Sequence, residues 1–158
     1  MTDGAAEEDA LARVGRALDS GEALERFRRM VEAQGGDPRV VDDPWSVLPR
    51  AAVTLPIESE RKGTLAAVDA EAVGLASVAL GAGRLHKGDP IDPGVGIVLR
   101  CKIGDRVSVG EHIGDVHARR DEDASEASRR VLDALTFVDG DVTPSTMIHR
   151  WLDDGAVA

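Results

Sequence analysis

Gly63 to His117 reads GTLAAVDAEAVGLASVALGAGRLHKGDPIDPGVGIVLRCKIGDRVSVGEHIGDVH. Thr64 to Val68 forms a short apolar run that predicts a strand, and Asp69 directly after it is placed to cap a helix. Glu71 falls in the favourable first turn, and Gly81 and Gly83 end the segment. Small residues Ala72, Gly74, Ala76 and Ala79 surround Val73, Leu75, Val78 and Leu80, so the helix is expected to lie buried on most sides. The loop LHKGDPIDPG then leads into Val95, Ile97 and Leu99, which alternate as a strand does. IGDR makes a turn, Val107 and Val109 continue outward, and VGEH turns again into Ile113 and Val116. An apolar strand followed by GDxVxxGxxI resembles a β-hammerhead of barrel-sandwich folds, with Gly104 and Gly110 permitting turns that side chains hinder.

Upstream of this stretch, Val53, Leu55 and Ile57 alternate with other residues and predict a strand, which Pro56 confines to a sheet edge. The first third is helical. Leu11, Val14 and Leu18 recur at helical spacing from about Glu7, and Leu24, Phe27, Met30 and Val31 form one apolar face of a second helix after Ser20, stopped by Gly35. The two helices join at Asp19 to Gly21. Between them and the first strand, GGDPRVVDDPWSVLP holds three prolines and reads as a connector with one helical turn after Asp37 and Pro38. Downstream, Asp121 or Asp123 is expected to cap a helix through ASEASRRVLDALTF that buries Ala127, Val131, Leu132 and Leu135. A strand around Phe137 to Val142 is expected to return to the sheet. Met147, Ile148, Trp151 and Leu152 then form an apolar patch in the tail, expected to dock.

The predicted organisation is α+β. Residues 1–36 form a helical segment, 37–50 a connector, 51–143 an α/β-hammerhead domain and 144–158 a tail. A chain of 158 residues can bury one sizeable core with a helical appendage.

Charge narrows the partners. The formal charge of −10 and a pI near 4.8 argue against nucleic acid and anionic membrane surfaces, which would be repelled. Aromatic residues make up 3 % of the chain, too few for base-stacking platforms and few enough that Val, Leu, Ile and Ala must build the core. The start MTDGAAEEDA is acidic where a secretory signal is basic and then apolar, and no apolar run is long enough to span a bilayer. A cytoplasmic location is expected. The lone Cys101, between Leu99 and Ile103, reads as a small core residue.

Chemistry-bearing residues are sparse in pattern. Asp89 and Asp92 each precede a proline; a hard cation would suit paired carboxylates, but the further oxygen ligands of a calcium loop are not at the required spacing. They are expected as turn residues, because Asp side chains bond the nearby backbone. His86, His112, His117 and His149 are scattered without zinc spacing or a nucleophile relay, and the two beside the hammerhead turns are expected to face solvent. Arg84 follows a helix C-terminus, where the dipole favours a cation. Lys62, Lys87 and Lys102 lack the setting that biotin and lipoate carriers give their modified lysine. No catalytic, cofactor-binding or metal-binding residue is assigned, and no cofactor is expected.

Three motifs nevertheless carry a resemblance. SGEALERFRRMVEAQGGDPRVVDDP, then KGTLAAVDAEAVGLASVALGAGR, then DPIDPGVGIVLRCKIGDRVSVGEHIGDVHA, is similar to the C-terminal part of the thymidine and pyrimidine nucleoside phosphorylases, from about Ala10 to Val138. The resemblance implies an α/β-hammerhead C-terminal domain preceded by the last helices of a large α/β domain. It implies descent from enzymes that use phosphate to split thymidine or deoxyuridine into base and deoxyribose 1-phosphate. Their glycine-rich phosphate loop, Lys-His-Ser motif and pyrimidine-holding Arg, Ser and Lys lie upstream of anything matched here. Phosphorolysis needs an anion cradle, and the glycine clusters GAGR and GVG sit in acidic context without a following helix start or a placed lysine. The expectation is a chain inactive alone, binding phosphate and pyrimidine nucleoside only when complemented. Whether the loop holding Arg84, Asp89 and Asp92 faces the cleft between domains in the family enzyme is left open by the sequence. The alternative is an autonomous non-catalytic hammerhead scaffold or protein-binding module. In either case the apolar face of the N-terminal helices, with Leu11, Leu24, Phe27 and Met30, invites self-association.

Overall fold

A computed structural model describes residues 4–146, with side chains from Glu8 onward. Backbone contacts divide the chain into two units that meet at Arg50 and Ala51. The apolar tail patch at Met147, Ile148, Trp151 and Leu152, and His149 with it, lie outside the described residues.

In the first unit, α1 (Gly4–Asp19) and α2 (Glu22–Ala33) join through Gly21, whose φ of 79° is left-handed and suits glycine. Gly35, at φ 75°, ends α2 as its position predicts. Asp37 caps a 3₁₀ turn, Pro38–Val41, by accepting from the Arg39 N–H. A second turn, α3 (Pro44–Val47), starts on another proline at its first position, a pattern the sequence repeats but whose second copy was not expected to turn. Arg28 anchors this connector to α2, with its guanidinium donating to both Asp42 carboxylate oxygens at 2.8 Å. None of residues 8–50 is buried, and Leu11, Val14, Leu18, Leu24, Phe27 and Met30 are all exposed.

The second unit contains two antiparallel three-stranded sheets. β1 (Val53–Glu58), β5 (His112–Ala118) and β3 (Gly96–Leu99) form one in the order β1-β5-β3. β4 (Arg106–Val107), β2 (Gly63–Val68) and β6 (Leu135–Val138) form the other, in the order β4-β2-β6. β1 is an edge strand, as Pro56 requires, because a proline has no N–H to donate to a second neighbour. Between the sheets' strands run α4 (Ala70–Ser77), continued by a wider turn at Val78–Ala82, and α5 (Asp121–Asp133). The core is mainly aliphatic: Ile57, Leu65, Ile113, Val116 and Val131 are its largest fully buried apolar side chains, and α5 contributes Ala124 and Ala127.

Several expectations need correction. Asp69 does cap α4, accepting from the Ala72 N–H at 3.0 Å, but α4 is not buried on most sides. Only Ala76 and, in the following turn, Leu80 are buried, while Leu75 is 54 % exposed. Of the small residues that suggested all-round packing, Ala76 is buried, whereas Gly74 and Ala79 are exposed. α5 begins at Asp121, so Asp121 and Asp123 lie in its first turn rather than at its cap. There they complement the helix dipole, and Asp123 receives the Arg120 guanidinium at 2.7 and 2.9 Å. α5 stops at Asp133, and Leu135 is already in β6, because the chain must turn there to pair with Val68 of β2. Val109 is not in a strand but in an exposed turn after β4, and Cys101 lies beyond the end of β3. Cys101 remains half-buried against the core, where burial pushes its thiol above the ordinary value.

Candidate functional site

The loop between the α4 turn and β3 held the strongest sequence candidates, and each has an internal structural task. Asp89 accepts from the Leu85 and His86 N–H groups at 3.2 and 2.8 Å. Arg84 Nε donates to the Asp89 carbonyl at 3.2 Å, closing the loop on itself. Asp92 accepts from the Gly94 N–H at 2.9 Å and from Arg119 Nε at 2.6 Å. The Gly94 bond and then the Arg119 guanidinium hold the Asp92 carboxyl below the usual carboxylate range. Both aspartates are therefore turn residues, and Asp92 also ties the loop to the chain just after β5. Among the described residues, no group of three or more His, Cys, Asp or Glu is arranged to hold a metal ion.

His112 opens β5 just after the turn at Val109 and Gly110 and is exposed, as expected, whereas His117 lies near the end of the strand and is half-buried. His117 Nδ1 sits 3.2 Å from Thr54 Oγ1 across the β1–β5 ladder. His112 enters a cluster that sequence reasoning missed. Asp115, on the central strand and almost buried, accepts from Arg100 Nε and Nη2 at 3.0 and 2.8 Å through Oδ2, while Oδ1 lies 2.9 Å from His112 Nε2. Burial pushes this carboxyl up, yet the bonds from Arg100 and His112 outweigh it and hold the group below its ordinary value. A charged residue in the otherwise apolar Ile113 to Val116 run was the available signal, since a carboxylate on a central strand must be paired. Arg100 and His112 remain partly exposed at the rim. The cluster fastens the end of β3 to β5; no nucleophile or anion cradle accompanies it in the described contacts.

The described contacts of these residues lie within the domain, and comparison with known proteins gives the family context. Residues 64–138 match the pyrimidine nucleoside phosphorylase C-terminal domain. That stretch belongs to the pyrimidine nucleoside phosphorylase C-terminal domain family. Over 143 residues, the chain is 40 % identical to the pyrimidine-nucleoside phosphorylase of Staphylococcus aureus strain bovine RF122, covering 90 % of this chain and 32 % of the relative. The corresponding proteins of strains USA300 and NCTC 8325 are each 39 % identical with the same coverage. The chain thus spans about a third of the length of the phosphorylases it matches.

The matched phosphorylase domain opens in β2 and closes with β6, so it includes Asp69, the Arg84 to Asp92 loop and the Asp115 cluster. β1 lies outside it, although β1 completes the sheet by pairing along nearly the whole of β5. No helix among the described residues is long and apolar enough to cross a membrane.

Proposed function

We propose that this chain is the C-terminal portion of a thymidine or pyrimidine nucleoside phosphorylase and is inactive by itself. The observation that carries the reading is the 143-residue match, which runs well beyond the 64–138 domain and so includes the connector and most of the helical unit. With the phosphate- and pyrimidine-binding portion supplied, the assembled enzyme would cleave thymidine or deoxyuridine with phosphate to give base and deoxyribose 1-phosphate. Inactivity in isolation is supported by the fate of the polar groups: Arg84, Asp89, Asp92, Arg100 and His112 are each committed to bonds within the domain. Phosphorolysis requires donors poised on an attacking anion and on the leaving group, and these groups are not so disposed.

In finer detail we take 51–143 as an α/β-hammerhead domain, 37–50 as its connector, 1–36 as the end of the family's large domain and 144–158 as a tail. The glycine turns at Gly104 and Gly110, both with positive φ, favour the hammerhead assignment. The exposed apolar side chains of α1 and α2 would pack against the phosphorylase portion outside this chain or, without it, against another copy. The acidic charge favours a protein that binds neither nucleic acid nor an anionic membrane surface, and we take it to be cytoplasmic. The test is a phosphorolysis assay with thymidine and phosphate, on this chain alone and after co-expression with the remaining two thirds of a relative. Turnover by the chain alone would refute the assignment of no catalytic residues. A stable co-purified pair without turnover would refute the split-enzyme reading.

A further inference from the structure

We propose that Asp139–Gly140 is a site of spontaneous backbone modification, where aspartate converts to isoaspartate in the folded protein. Asp–Gly occurs three times in the chain, at 3–4, 139–140 and 154–155, and only the middle pair lies wholly among the described residues. It follows β6 directly, on an exposed bend, and Gly140 has φ 123°, a conformation that L side chains rarely adopt. Glycine leaves the amide nitrogen unshielded. That nitrogen donates no hydrogen bond to another described residue, and the Asp139 carboxyl has no hydrogen-bond or ion-pair partner among them. By contrast Asp69, Asp89, Asp92, Asp115 and Asp141 all have theirs.

The step balances with water alone. The Gly140 nitrogen attacks Asp139 Cγ, the N–Cγ bond forms, and the carboxyl oxygen leaves with two protons as water. Hydrolysis of the cyclic imide then adds one water at either carbonyl. Opening at the α-carbonyl carbon leaves the chain running through the side chain, one methylene longer. The consequence is local but not trivial. The Gly140 carbonyl accepts from the hydroxyl of Thr64, a buried residue of β2, and the next residue, Asp141, pairs with Arg106 at the start of β4. Lengthening the backbone at this point draws both anchors off β2 and β4.

The test incubates the intact folded chain at neutral pH in water enriched in the heavy oxygen isotope, then maps the tryptic peptide Val131–Arg150 by fragmentation. Asp133 in α5 and Asp141 serve as internal controls. The expected result is label and isoaspartate at Asp139, absent from both controls and lost in Asp139→Glu, whose longer side chain closes the ring far less readily. The isolated isoaspartyl form is expected to unfold at lower urea concentration than the unmodified chain. If the urea-unfolded chain labels at Asp139 while the folded chain does not exceed Asp133 and Asp141, the proposal is overturned. Label that persists in the glutamate variant overturns it as well.

Discussion

Replacing Gly114 by alanine tests the packing at the centre of the first sheet. Gly114 lies on β5 opposite Ile57 of β1 and Leu99 of β3, so both neighbours crowd its missing side chain. A Cβ there would stand 2.6 Å from the Val98 carbonyl oxygen and 3.4 Å from Ile57 Cδ1 and Leu99 Cδ2. The two methyl contacts are ordinary; the carbonyl contact is not. Its oxygen cannot retreat without disturbing the β3–β5 ladder at Val98 and Leu99, so the cost belongs at the upper end of the range for overpacking, about 2–3 kcal/mol. With a urea slope of about 1.5 kcal/mol/M for a domain of this size, the midpoint falls by roughly 1–2 M, read by circular dichroism. Ile57→Val alone costs about 1 kcal/mol by removing a buried methylene. If the carbonyl is the limiting contact, the double variant is additive to within about 0.5 kcal/mol. Rescue of Gly114→Ala by Ile57→Val would refute the reasoning, as would a Gly114→Ala protein of unchanged midpoint.

Three further outcomes follow from the same contacts. Asp69→Ala removes the cap that holds the Ala72 N–H and is expected to lower stability by about 1 kcal/mol, with Asp69→Asn retaining most of it, measured by urea unfolding. The Asp115 carboxyl titrates lower in the folded state than its unfolded value of about 3.9, so the unfolded chain binds the extra proton as pH falls below that value. Its contribution is complete above that pH and lost as pH drops through the folded value; Asp115→Asn should flatten the acid limb of the stability profile, and an unchanged limb would remove Asp115 from the account. Phe27→Ser with Met30→Ser should reduce concentration-dependent association in light scattering, and a strict wild-type monomer would dispose of the exposed face as a self-association surface.

Where local chemistry dominates, the sequence was a sound guide. Asp69 capping, the edge position enforced by Pro56, the Gly35 stop and the turn roles of Asp89 and Asp92 depend on interactions within a few residues, and each is present. The errors lie where partners come from afar. The pairing of Val68 with Leu135 ends α5 earlier than its helical periodicity suggests. The Asp115 site joins Arg100, fifteen residues away, to His112, and neither spacing resembles a known motif.

By itself, the chain's sequence determined the α+β class, the resemblance to the phosphorylase C-terminal domain and most helix and strand types. Its apolar periods, glycine turns and net charge act locally or through simple sums. Only the tertiary structure decided that α4 leaves Leu75 in water, that β1 outside the matched domain completes the first sheet, and that a carboxylate sits paired on the central strand. Burial depends on which segments meet, and that meeting is a property of the folded whole rather than of any one period in the chain.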